Sequence, residues 1–192
     1  MRANWARIIS NLLSPPMVWA VMVFPIAFRY AETRSQGMIW ALTYGILVCL
    51  LPILYIAWMV KRGRIGDLHM KERHERIGPF IVSIVCTALA WQTLRMMGAP
   101  SILPLIAGVT LVQLTVMTLI TLVWQISMHA MSVMVAVVAT GVVFGTGPAF
   151  AVFPPVPFVG PPRLNLQRHT LAQLIAGAAV GALIPLIVLA VI

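Results

Sequence analysis

Three short segments of this chain carry side chains suited to nucleophilic and acid–base work. They are Lys71-Glu-Arg-His-Glu-Arg76-Ile-Gly-Pro79, Ser127-Met-His129, and Arg163-Leu-Asn-Leu-Gln-Arg-His169-Thr-Leu-Ala-Gln173. Histidine changes charge near neutrality, so it serves as nucleophile, acid or base. The second and third segments each place a histidine where an apolar run begins a helix. A helix N-terminus, with its free backbone N–H groups and positive dipole end, favours an anion. Adding Arg163 and the basic stretch 61–77 makes a phosphate pocket the expected site. Phosphoryl transfer needs positive donors around the equatorial oxygens, a nucleophile in line and an acid for the leaving oxygen. Two histidines and several basic residues supply those roles.

Read in order, the segments resemble the three motifs of the type 2 phosphatidic acid phosphatase superfamily, K-x6-R-P, P-S-G-H and S-R-x5-H-x3-D, whose active-site design is shared with the vanadium haloperoxidases. The third motif matches best: Arg163, five residues, His169, three residues and Gln173, followed by the small-residue run IAGAAVG. The second keeps Ser127 and His129 but has Ile126 and Met128 in place of proline and glycine. The first keeps Lys71 and Pro79 at the family spacing, with Gly78 where the phosphate-binding arginine belongs and Arg76 or Arg73 as spatial substitutes.

The resemblance implies that His169 attacks phosphorus to form a phosphohistidine and that His129 protonates the leaving alcohol. It also implies that Arg163, Lys71 and Arg76 neutralise the phosphate while Ser127 donates a further hydrogen bond. The implied substrate is a lipid phosphate or an isoprenyl diphosphate, and no cofactor is expected. Gln173 departs from the family aspartate. A glutamine orients the nucleophilic imidazole but offers its cationic form no negative charge. Slow chemistry, or a non-catalytic structural or assembly subunit of a larger membrane complex, is the alternative that this departure favours.

Other chemistries fit less well. His69 and His74 are five apart in a loop, no H-x3-H pair occurs, and Cys49 and Cys86 sit inside apolar runs, so no metal site is expected. The chain's only carboxylates, Glu32, Asp67, Glu72 and Glu75, form no cluster for a magnesium diphosphate, and Glu72 and Arg76 have the i,i+4 spacing of a simple helical ion pair. No ionisable residue lies at mid-depth in the firm spans, where a transporter's coupling site would sit.

The elements that must position these residues follow from composition. Of 192 residues, 61% are hydrophobic and 9% charged, and mean hydropathy is +0.99, too little polar surface to cover a soluble globule. The expected fold is an all-α polytopic membrane protein, a bundle of about six or seven transmembrane helices. It is expected to be a single domain, 1–192, opened by an interfacial segment at 1–15. Spans are expected at about 17–31, 37–60, 79–96 and 101–124, then from about 130 to the break at Gly145-Thr146-Gly147-Pro148. An irregular crossing follows at 148–162, where six prolines fall, and a last span at about 168–190. In that last span Gly177-x-x-x-Gly181 is expected to admit a close helix neighbour.

Seven crossings gather ten of the thirteen Lys and Arg residues, and all four histidines, on one face, which the positive-inside rule makes cytoplasmic. The net charge of +9 is therefore read as topogenic and lipid-facing, with membrane lipids and other membrane-protein subunits as the expected partners and nucleic acid excluded.

Overall fold

The computed structural model describes residues 12–66, 70, 74–152 and 169–191. Helix is the only regular secondary structure among them, as expected for a chain that must satisfy its backbone within lipid. Four helical runs are long and apolar enough to cross a membrane: Arg34–Lys61, His74–Met96, Ile102–Val123 and Leu171–Val191. Large aliphatic side chains such as Val21, Leu54, Val85, Leu119, Ile175 and Ile187 lie exposed along the helices, which suits a lipid solvent. The fold is an all-α membrane bundle.

Helix α1, Pro15–Tyr30, has two prolines in its first turn, where a missing N–H costs nothing. It continues through Pro25, and at 16 residues it is shorter than a full span of roughly 20. Helix α2, Arg34–Tyr44, starts at a capping box: Thr33 Oγ1 accepts from the Gln36 N–H and Gln36 Oε1 accepts from the Thr33 N–H. It runs into a π-helical segment, Gly45–Leu50, and then into α3, Leu51–Lys61. The cause of the wide turn is Pro52, which has no N–H and whose ring would strike the carbonyl of Val48 in a regular α-helix. Widening the turn, with the Leu51 N–H donating to the Ile46 carbonyl, relieves that clash. After a 3-10 turn at His74–Arg76 comes α4, Ile77–Met96, with Pro79 in its first turn. It ends in a Schellman motif in which Gly98, at φ +66°, lets the Ala99 N–H reach the Leu94 carbonyl and its own N–H reach that of Arg95. Helix α5 is Ile102–Val123 and α6 is Met128–Phe144, the latter ended by Gly145. Helix α7, Thr146–Val152, opens the stretch expected to cross irregularly, and residues 153–168 lie outside the described residues. Helix α8 is Leu171–Val191.

The helices group into two compact units: Met1–Trp19 with Gln125–Ile192, and Ala20–Trp124. In the first, α6 packs on α8 and on α7, with Ala130, Val133 and Leu174 as a core flanked by Leu13, Val18 and Ala178. In the second, α4 is the hub, packed against α5 and against the α2–π–α3 run. A close α1–α2 corner belongs to the same unit, where Gly37 lies against Phe28 and Ala31.

Candidate functional site

Within the first unit, two helices begin at the same place. The Ser127 N–H donates to the Gln173 carbonyl at 3.1 Å. A Cβ added to Gly177 would strike the Ser127 carbonyl oxygen, and one added to Gly181 would strike that of Met131. Each step of four residues along α8 therefore matches a step of four along α6, so the helices run parallel. The glycine Hα atoms point at those carbonyls, forming Cα–H···O contacts typical of closely apposed helices. Parallel packing sets the two N-termini side by side, so their dipoles reinforce each other at the end where the histidines lie.

Local sequence builds each terminus. Ser127 is the N-cap of α6, its Oγ accepting from the Ala130 N–H at 3.3 Å. Thr170 opens α8 with a capping box: its Oγ1 accepts from the Gln173 N–H at 3.4 Å, and Gln173 Oε1 accepts from the Thr170 N–H at 2.9 Å. His129 lies in the first turn of α6 and is 9% exposed, while His169 immediately precedes Thr170 and is 7% exposed.

The capping box also fixes which atom of Gln173 faces His169. A backbone N–H only donates, so the Gln173 atom facing Thr170 is the amide oxygen. That same Oε1 lies 3.3 Å from His169 Nδ1. An oxygen without a proton can only accept, so Nδ1 carries a hydrogen, and whenever the ring is neutral its lone pair is on Nε2. The arrangement positions the ring through a neutral acceptor.

The sequence-predicted residues divide accordingly. Ser127, His129, His169 and Gln173 belong to one unit, with Ser127 and Gln173 joined directly and His169 held by Gln173. Arg163 and Lys71 lie outside the described residues. Arg76 belongs to the other unit, is 5% exposed, and donates from Nε to the Met70 carbonyl at 2.9 Å. Beside it, Glu75 Oε1 accepts from the Gly66 N–H at 2.8 Å. Gly78, at the family's arginine position, lies against the Tyr55 hydroxyl. Sequence reasoning missed Thr170, although Thr170-x-x-Gln173 before an apolar run is a capping-box signature. No cluster of three potential metal ligands occurs among the described residues.

Fold and site together define an integral membrane protein of the all-α class with a histidine-bearing pair of helix N-termini. No family model, no curated protein and no solved structure matches the chain.

Proposed function

We propose that the paired N-termini of α6 and α8 bind the phosphate of a lipid phosphate or isoprenyl diphosphate and hydrolyse it through a phosphohistidine. The observation that carries this reading is the Ser127–Gln173 backbone hydrogen bond, which joins the segment bearing His129 to the segment bearing His169. His169 Nε2 attacks phosphorus as the bond to the leaving oxygen breaks, and His129, protonated, gives that oxygen its proton. Water then attacks the phosphohistidine, His129 takes its proton, and inorganic phosphate leaves with His169 restored. Arg163 is assigned to the phosphate charge and Gln173 to holding the ring. The positive-inside rule assigns this face to the cytoplasm.

The test is phosphate release by detergent-purified protein from a panel of lipid phosphates and isoprenyl diphosphates, with His169→Ala and Arg163→Ala in parallel. Turnover that falls at least about a hundredfold in both variants is expected. Silence from folded wild-type protein overturns the reading.

A second reading, a non-catalytic structural or assembly subunit, draws on two observations. Gln173 brings no negative charge to His169, and both histidines are more than nine-tenths buried. Co-purification of a stoichiometric membrane partner, with no phosphate released, would favour it.

A further inference from the structure

We infer that the unit Ala20–Trp124 holds an internal water site at mid-depth, built by Thr87 of α4 and Gln113 of α5. Both side chains are fully enclosed, at 0% exposure. Thr87 Oγ1, Gln113 Nε2 and Gln113 Oε1 have no hydrogen-bond partner in the protein, and they are the only such buried side-chain atoms among the described residues. An amide and a hydroxyl enclosed among apolar helices each forfeit their solvation unless something replaces it.

The two residues share a level. α4 and α5 form a hairpin through the Gly98 turn, and Gly108 lies against the Trp91 indole, 3.7 Å from Nε1 by its missing Cβ. In an antiparallel pair with that register, moving four residues back along α4 to Thr87 corresponds to moving four forward along α5, next to Gln113. Both then stand roughly 15 Å from the helix ends, the middle of a span.

The neighbouring polar groups have already found partners. Thr110, one turn before Gln113, donates to the Ile106 carbonyl at 2.9 Å and accepts from the Tyr44 hydroxyl at 3.1 Å. Tyr44 itself leads into the π-helical segment. The unmet groups are thus confined to Thr87 and Gln113: an amide N–H pair that donates, an amide oxygen that accepts, and a hydroxyl that does either.

The guest must be small, neutral, and able to donate and accept together. Charge is excluded because the only charged residues in α2–α5 are Arg34, Lys61 and Arg95, each in a terminal turn. Water meets all three requirements, and these three atoms give it the two to four polar partners that buried water takes. The histidine site does not use this one, so the inference stands independently of the phosphatase reading.

The test uses the full chain in detergent with deuterated tails, labelled with nitrogen-15 at glutamine. Gln113→Leu identifies the Gln113 side-chain amide signal by its loss, and unchanged Gln36 and Gln173 signals report that each variant is folded. The expected result is magnetisation transfer from water to the Gln113 amide protons, reduced severalfold in Thr87→Val and retained in Thr87→Ser. Absence of water transfer in the wild type, or transfer of equal strength in Thr87→Val, overturns the inference. A thermal-unfolding cycle adds an independent reading: a shared water makes the Thr87→Val and Gln113→Leu losses overlap in the double variant, whereas simple addition overturns the site.

Discussion

The α6/α8 pair and the α4/α5 pair bury polar groups among apolar helices in opposite places. In α6/α8, which runs parallel, Ser127, His129 and His169 collect at the shared N-terminal end, where helix capping organises them. Ser127 caps α6, Thr170 and Gln173 cap α8, and the same Gln173 oxygen that accepts from Thr170 also faces His169. In α4/α5, which runs antiparallel, Thr87 and Gln113 lie at the centre of the span and are left unmet, while Thr110 and Thr121 bond carbonyls of their own helix. The difference teaches that an end position organises polar groups through the backbone, and so fixes a tautomer. A central position does so only where a side chain reaches its own helix's carbonyl, as Thr110 does and Thr87 does not.

The largest expected effect breaks the parallel pair itself. Gly177→Ala and Gly181→Ala each drive a methyl into a backbone carbonyl of α6, which cannot swing aside as a side chain would. Each should cost about 3 kcal/mol, read as a fall in thermal midpoint in detergent. The same substitutions should uncouple the Ser127–Gln173 bond and scatter the histidine site. If both variants unfold like wild type, the close parallel approach is not what holds this unit.

A smaller loss is expected at Gln173. Gln173→Leu removes a capping-box acceptor and the oxygen facing His169, and should cost about 1 kcal/mol. It should also shift the neutral His169 ring away from the Nδ1–H tautomer, seen in its nitrogen-15 shifts. Gln173→Glu keeps an acceptor for both donors and should retain the Nδ1–H form. An unchanged tautomer balance in Gln173→Leu would mean that Gln173 does not orient the ring.

Much of this was legible in sequence, and the reason differs by residue. The run 37–60 ending at Lys61-Arg62-Gly63-Arg64 reappears as Arg34–Lys61, and the expected spans 79–96, 101–124 and 168–190 as Ile77–Met96, Ile102–Val123 and Leu171–Val191. Hydropathy and helix breakers are local signals. Gly177-x-x-x-Gly181 announced a close neighbour, but not that the neighbour would be the backbone of α6 running in the same sense. Gln173 read as an uncharged group that orients the imidazole, and its second bond stayed hidden because it depends on Thr170, three residues before it. The π-helical segment was hidden inside a uniform apolar run. Thr87 and Gln113 were invisible as a pair, since only the α4/α5 register brings them level.

In the second unit the Tyr44 hydroxyl donates to Thr110, which has passed its own proton to the Ile106 carbonyl. Tyr44→Phe should therefore cost about 1 kcal/mol, near the upper range for a hydrogen bond between membrane helices. A loss below measurement would show that Thr110 re-pairs freely, and would weaken the contrast between satisfied and unmet polar groups in this unit.

The smallest effect has the opposite sign and sharpens the comparison through glycine alone. Gly45 opens the π-helical segment with right-handed helical angles, φ −60° and ψ −40°, and a Cβ added there meets nothing within 4 Å. Its absence of a side chain serves no approach, in contrast to Gly177 and Gly181. Gly45→Ala should raise stability by about 0.5 kcal/mol, because alanine loses less backbone freedom on folding and no contact opposes it. The measurement is the same detergent unfolding midpoint. A loss in place of that gain would mean that the π segment needs glycine's freedom to form, so that the wide turn, and not only Pro52, sets the geometry around Tyr44.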